Sequence, residues 1–248
     1  MPYASQKNLH IIAIFTAYNC SKTLRDFYGR FPLDLVDEII LVDDASTDGT
    51  YELAHELGIP AYRNTVNLGY GGNTKRAIEL ALDAGGDIIV DIHPDGEYDA
   101  SAIVPALKKI NSGAKCVLGR RFDRILDMLQ RGMYPWKVFP LIAINFLPRL
   151  MLDGSIKDYH QGFRVYTREM LNEIFWRDNS NNFLFSFEII CQALFKSIPI
   201  EQVPVITHYH GQKRGATFKH SLFYTVGIMK VLFLYLLGKM GWRSRIFR

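Results

Sequence analysis

Residues 87–99 read DIIVDIHPDGEYD, and the rest of the chain is arranged around this stretch. Ile88 to Val90 is a short apolar run of the kind that forms a buried strand. It gives way to acids, a histidine, a proline and a glycine. Asp91, His93, Asp95, Glu97 and Asp99 fall at every second position. In extended chain, alternate side chains point the same way, so His93, Asp95 and Glu97 are expected to converge at the end of a strand. One imidazole and two carboxylates suit Mn2+ or Mg2+ that also carries phosphate oxygens. The plainer reading of the same residues is a solvated acidic turn. Asp91, just before them, reads as the structural end of the strand.

Outward from this stretch the chain alternates. Leu9 to Thr16 is a continuous apolar run, read as a buried parallel strand. Ser21 can cap a helix to about Arg30. Glu38 to Val42 is a second strand, followed by DDASTDGT at 43–50 and a helix that Thr47 or Asp48 can cap, to about Leu57. Ala61 to Arg63 is a third strand. Asn67 to Gly72 reads as a flexible loop before a helix from about Asn73 to Ala84. Beyond the acidic stretch come a helix over Asp99 to Ile110 and a strand over Lys115 to Leu118. Such alternation implies crossover connections and a largely parallel sheet flanked by helices. Ligands then bind beyond the carboxyl ends of the strands. The polar clusters after Thr16, Val42 and Val90 all lie there, which argues for one site.

The second half is less regular. Gly119-Arg120-Arg121 ends a strand with two guanidinium groups suited to bidentate phosphate contacts. Tyr134 to Leu152 is apolar but broken by Pro135, Pro140 and Pro148, so it reads as a core or interface helix and not as a membrane span. A strand is expected over Phe163 to Tyr166. Phe183 to Phe195 is an apolar helix with one acid, Glu188, which needs a partner or a role. Ile200 to Thr207 is a last strand. His208 to His220 is a basic loop. Leu222 to Leu237 carries one charge, Lys230, over 16 residues, just short of the ~17–25 residues of a spanning helix.

Composition sets the outer limits. The 248 residues, 48% apolar and 22% charged, suffice for a full core. Three scattered cysteines imply neither a disulfide framework nor a zinc site. The first residues lack a signal-peptide pattern, so a cytosolic location is expected. There is no GxGxxG after the first strand and no GxxxxGK[ST], which excludes the common dinucleotide and P-loop sites. The net charge of +4 is uneven. From Gln202 to Arg248 there are eight Lys or Arg and no acid, whereas the first 201 residues carry a net of −4. The basic, apolar tail is expected to meet anionic lipid headgroups. A nucleic-acid partner fits poorly, because the tail lacks base-stacking modules. The division expected is a catalytic domain over 1–210 and a membrane-associating or oligomerising segment over 211–248.

Seven blocks in order carry a resemblance: TAYN (16–19), VDDASTDGT (42–50), NLGYGGNTKRA (67–77), HPDGEYD (93–99), LGRRF (118–122), DYHQGFRVY (158–166) and VPVITHY (203–209). Together they resemble the family-2 glycosyltransferases of GT-A fold, in the branch similar to dolichyl-phosphate mannose synthase. The resemblance implies an inverting, metal-dependent transfer of a hexose from a UDP- or GDP-sugar to a polyprenyl phosphate or other lipid-linked acceptor, at the cytosolic membrane face. It implies that Thr16, Ala17, Tyr18, Asp43, Asp44, Asn67, Gly69 and Lys75 bind the nucleotide, with Asp44 slightly favoured over Asp43 at the base. The family's metal motif, Asp-x-Asp, is here His93-x-Asp95-x-Glu97, a departure that leaves His93 either a ligand or an orienting group. Asp95 is the firmest ligand. Arg120, Arg121 and Arg164 are implied to neutralise the departing diphosphate. Asp158 matches the acid before GFR, as a general base for a hydroxyl acceptor or a positioning group for a phosphate one. Gln161, Glu188, Lys213, Arg214 and Lys219 are expected on the acceptor side. Two other readings keep the fold: transfer to a hydroxyl of a surface polysaccharide, and a catalytically silent nucleotide- or partner-binding scaffold. A homo-oligomer is compatible with all of them.

Overall fold

The computed structural model describes residues 9–121, 144–207 and 218–248, the first four residues of the last segment by backbone alone. Among these residues, seven strands form one sheet in the order β3-β2-β1-β4-β6-β5-β7. They are β1 (Ile11–Ala17), β2 (Glu38–Asp43), β3 (Ala61–Arg63), β4 (Ile88–Asp91), β5 (Cys116–Arg120), β6 (Arg164–Thr167) and β7 (Ile200–Pro204). The helices are α1 (Ser21–Arg30), α2 (Thr50–Glu56), α3 (Tyr70–Asp83), α4 (Ile103–Asn111), α5 (Arg168–Glu173), α6 (Phe185–Phe195) and α7 (Phe218–Lys239). Residues 144–151 are also helical.

Six strands run parallel, as the alternation predicts, and β6 runs against both of its neighbours, β4 and β5. The reversal matters for the site. The start of β6 lies at the edge where β4 and β5 end, so Arg164 pairs in register with Asp91.

Strand residues alternate between two cores, as a pleated sheet with both faces covered requires. Ile12, Ile14, Ile89 and Tyr166 face α3, α5, α6 and the inner side of α7. Ala13, Phe15, Val90 and Val165 face α1, α2 and α4. The aromatic triad Phe15, Phe27 and Phe31 locks α1 onto β1, with edge-on ring contacts at 5.2 and 5.0 Å.

Three local expectations change. The helix expected from Asn73 begins at Tyr70, because Gly71 and Gly72 pack against the 180–182 segment as the first turn of α3 and do not form a flexible loop. A Cβ on Gly71 would lie 2.6 Å from the Phe185 Cβ and 2.8 Å from the Asn182 carbonyl oxygen. Ser21 does not cap α1. It is the first residue of that helix, and Asp48 from the β2–α2 loop accepts from its N–H at 3.0 Å and its hydroxyl at 2.8 Å. Finally, α7 is longer than the apolar run, at 22 residues, or about 33 Å. Its Ile228, Val231, Leu232 and Tyr235 are buried in the main core, while Leu222, Phe223, Val226, Met229, Phe233 and Leu236 are exposed.

Candidate active site

The carboxyl ends of β1 and β2 are joined through their loops. Asn19 Oδ1 accepts from the Thr47 N–H at 3.0 Å, and the Asn19 N–H donates to Ser46 Oγ at 2.8 Å. Tyr18 stands 55% exposed beside this junction, an open ring face for stacking a base. Asn19 and Ala45 both hold positive φ, 48° and 58°, and such backbone strain is concentrated at binding loops.

The two acids after β2 have different partners. Asp44 accepts from the N–H groups of Leu68 (2.7 Å) and Gly69 (3.0 Å) and from Asn64 Nδ2 (2.8 Å). Asn67 Nδ2 also donates to its carbonyl at 3.1 Å. Asp44 and Asn67 therefore shape the loop wall. Asp43 accepts from the Ser46 N–H at 3.0 Å and faces Arg63 at 3.4 Å, and among the described residues its buried Oδ1 has no hydrogen-bond partner. Of the two acids, both Asp44 carboxylate oxygens are engaged, whereas Asp43 keeps one acceptor atom unused among the described residues. Lys75, expected at the nucleotide, instead donates to the Asn179 carbonyl at 2.9 Å and holds the loop before α6.

The expected convergence of His93, Asp95 and Glu97 changes as well. The chain turns at 94–97, with Gly96 at φ 77°, so the strand-like alternation stops after Asp91. Asp95 Oδ1 accepts from the Glu97 N–H at 2.9 Å. His93 Nδ1 lies 3.2 Å from Thr16 Oγ1, and its ring stacks on Tyr70 with centroids 5.4 Å apart. Among the described residues, no three His, Cys, Asp or Glu side chains form a metal-holding group. The carboxylates of Asp95 and Glu97 remain neighbours. Burial first, and the Asp95 charge second, push the Glu97 carboxyl up. Two acids in repulsion fit a divalent cation that completes its shell with substrate phosphates. His93 is placed to orient Thr16 and Tyr70.

The turn is tied to the second half of the chain. The Gly162 N–H donates to Tyr98 Oη at 2.9 Å, and the Asp99 N–H donates to the Ile206 carbonyl at 3.0 Å. This brings DYHQGFR beside HPDGEYD. Arg121 forks onto Asp158, Nε to Oδ2 at 2.8 Å and Nη2 to Oδ1 at 2.9 Å. Burial alone would raise the Asp158 carboxyl, but the Arg121 charge and its hydrogen bonds outweigh it and hold the group below the usual carboxylate range. Arg164 is fully buried and donates to Tyr70 Oη at 3.2 Å. Asp91 is also buried, and among the described residues neither of its carboxylate oxygens has a hydrogen-bond partner. Burial pushes its carboxyl up, against the pull of His93 and Arg164. Arg120 ends β5, and its carbonyl accepts from the Val205 N–H at 3.0 Å.

On the expected acceptor side, Glu188 accepts from the Ser180 N–H at 2.6 Å and Ser180 Oγ at 2.8 Å, so it anchors the loop before α6. Gln161 is buried, with its Oε1 on the Phe163 N–H. Lys213 and Arg214 lie outside the described residues, and Lys219 is described only as a backbone position at the start of α7. Three residues that the sequence did not single out belong to the cluster, Tyr70, Tyr98 and His160, and Asp91, read as the end of the strand, lies beside them. Tyr70, Tyr98 and His160 sit inside quoted blocks, yet nothing local shows that Tyr70 lies between the rings of His93 and Phe183.

The model of glycosyl transferase family 2 matches residues 12–175. The UDP-N-acetylglucosamine–dolichyl-phosphate N-acetylglucosaminyltransferase of Methanococcus voltae is 24% identical, over 89% of this chain and 96% of that protein. The polyprenol monophosphomannose synthase of Mycolicibacterium smegmatis is 26% identical, over 78% and 76%. The undecaprenyl-phosphate mannosyltransferase of Micrococcus luteus is 27% identical, over 67% and 70%. Among solved structures, the glucosyl-3-phosphoglycerate synthase of Mycobacterium tuberculosis in complex with UDP superposes with a TM-score of 0.65 at 20% identity, over 92% of this chain and 80% of that one. This likeness concerns the fold. The chain belongs to glycosyl transferase family 2.

Proposed function

We propose that this chain transfers a hexose, with inversion, from a UDP- or GDP-sugar to the phosphate of a polyprenyl phosphate. The observation that carries this reading is the Arg121–Asp158 fork. A hydroxyl acceptor needs a base with an open oxygen and a carboxyl poised to take a proton. Asp158 has both oxygens on one guanidinium and is held below the usual carboxylate range. A phosphate acceptor is already anionic and requires no base. Its oxygen forms the new bond to the anomeric carbon as the bond to the donor's diphosphate breaks, and the nucleoside diphosphate leaves with that electron pair.

The donor's base stacks at Tyr18 and meets Asp43. Asp95 and Glu97 would hold Mn2+ or Mg2+, which supplies positive charge to the leaving diphosphate when bound. Arg164, a guanidinium that stays charged even when buried, adds to that field. Arg121, held by Asp158, presents its side chain toward the acceptor phosphate.

The exposed apolar face of α7 and the acid-free basic tail fit an anionic membrane surface. An 18-residue window at Leu222–Lys239 has mean hydropathy 1.5 and is 22% buried. Spanning would strip Ile228, Val231, Leu232 and Tyr235 from the core they fill, so α7 lies along the membrane.

The test is transfer of labelled sugar to a polyprenyl phosphate and, separately, to the corresponding polyprenol, after a melting panel with UDP and GDP plus Mn2+. A nucleotide at ~100 times its Kd should add about 2.7 kcal/mol. Transfer to the phosphate alone, without a limb in the pH–rate profile that Asp158→Asn removes, is the expected outcome. Preference for the hydroxyl acceptor, with an Asp158-dependent limb near neutrality, would overturn the reading in favour of a glycan hydroxyl.

A further inference from the structure

His160 lies next to the catalytic fork but is not part of it, and α7 reaches it from the far end of the chain. Its backbone touches both halves of the fork. The His160 N–H donates to Asp158 Oδ1 at 3.3 Å, and Arg121 Nη2 donates to the His160 carbonyl at 3.2 Å. Its ring bridges two helices. Nε2 is 3.3 Å from the Ile144 carbonyl, at the start of the 144–151 helical stretch, and Nδ1 is 2.8 Å from Tyr224 Oη on α7.

The chemistry of these contacts fixes the protonation pattern. A carbonyl oxygen only accepts, so Nε2 carries the hydrogen. Burial lowers the imidazole to about 4, so the ring is neutral and Nδ1 has no hydrogen. Tyr224 is then the donor to Nδ1. The Tyr224 ring also meets the imidazole edge-on at 5.5 Å, and Phe187 of α6 packs at 5.4 Å. Next to His160, the Tyr159 N–H donates to Asn145 Oδ1 at 3.0 Å.

We infer that Tyr224 is a positioning residue for the Arg121–Asp158 pair, acting through His160, so that the C-terminal helix completes the acceptor side of the site besides anchoring it. Without the Tyr224 hydroxyl, Nδ1 loses its donor, and the ring is tied at the Ile144 carbonyl alone. The ring can then turn, and the backbone that holds Arg121 and Asp158 turns with it. Small misplacements of positioned groups cost heavily in rate. The inference rests on the proposed transfer reaction, in which the fork faces the acceptor.

The test uses full-length Tyr224→Phe in vesicles of phosphatidylcholine and phosphatidylglycerol carrying polyprenyl phosphate. The expected result is a kcat lower by roughly tenfold to a hundredfold, with donor KM and vesicle binding within about twofold of wild type. His160→Phe should behave alike, and the double variant should add little, as for residues acting in series. Tyr235→Phe removes a hydroxyl from the same helix three turns away and serves as the control, with wild-type kcat. A readout independent of activity is the 15N spectrum of the His160 ring, which should show the Nε2–H tautomer with a hydrogen-bonded Nδ1 in wild type and the shift of an unbonded Nδ1 in Tyr224→Phe. Wild-type kcat in Tyr224→Phe, or an Nδ1–H tautomer in the native protein, overturns the inference. Failure of the transfer reading shows differently, as a wild-type protein that no nucleoside diphosphate stabilises.

Discussion

The two sides of the cleft hold their charges by different means. On the donor side, Asp44 and Asp48 are satisfied largely by nearby N–H and hydroxyl groups of the first 70 residues. On the acceptor side, the partners come from distant segments: Arg121 to Asp158, His160 to Tyr224, Tyr70 to Ser186. Backbone donors are fixed by loop shape and carry only partial charge. A guanidinium brings a full charge that must itself be satisfied. The donor side should therefore tolerate loss of one carboxylate far better than the acceptor side does.

Asp158→Ala is the sharpest way to break that contrast. It leaves the Arg121 guanidinium, whose side chain is 11% exposed, without its carboxylate. Breaking such a buried pair from one side costs about 3–5 kcal/mol, which chemical denaturation would measure. Asp48→Ala, on the exposed rim of the donor side, removes hydrogen bonds to Ser21 and Thr50 and should cost only about 1–2 kcal/mol. The acid limb adds a second measurement. Asp158 has a lowered folded-state pKa, so its stabilisation is fully present above the ordinary carboxylate range and is lost as pH falls through the folded value. That loss should lie below pH ~4 and vanish in Asp158→Ala. Equal costs for the two variants would remove the distinction between the sides.

The same contrast explains what the sequence revealed. The strands of the first half, the polar clusters beyond them and the Asp43-Asp44 pair were legible because each is a contiguous block with its partners close by. The start of α3 was not, since Gly71 and Gly72 look like loop residues until the 180–182 segment is seen packed on them. Nor was the His93-Pro94-Asp95-Gly96-Glu97 turn, where the period-2 pattern imitates a strand but proline and glycine bend the chain. On the acceptor side, the fork, the reversed β6 and the His160–Tyr224 contact join residues far apart in sequence. Helical or strand periodicity carries no record of such pairings. Glu188 was visible as an oddity in an apolar helix, but only the fold shows that Ser180 is its partner.

Gly71 sits on the seam, so Gly71→Ala tests whether the two sides are rigidly joined. Its methyl group would press on the backbone carbonyls of Ser180 and Asn182 and on Phe185. Backbone cannot swing aside as a side-chain tip does, and overpacking of this kind costs about 1–3 kcal/mol. The loop that Glu188 and Lys75 anchor would move with it, carrying Phe183 off Tyr70. The expected result is a lower melting temperature together with a lower kcat. A stable, fully active variant would mean that the seam is loose.

The smallest effect belongs to the donor side. Ala45 holds φ at 58°, where the Cβ of an L-residue costs roughly 1–2 kcal/mol. Asn19, at 48°, pays less, because asparagine tolerates this region. Ala45→Gly relieves the strain but also frees the unfolded chain, which offsets about 0.4–1 kcal/mol. The balance should be a gain near 0.5–1 kcal/mol, seen as a rise of about 1–4 °C in Tm. Nucleotide affinity should fall slightly at the same time, because a glycine after Asp43-Asp44 no longer holds the loop in its binding shape before the base arrives. Higher stability with weaker nucleotide binding would show that the strain serves preorganisation. Higher stability with unchanged binding would place the loop's shape in the Asn19–Thr47 and Asp43–Ser46 hydrogen bonds, and the local ties of the donor side would then suffice without the strain.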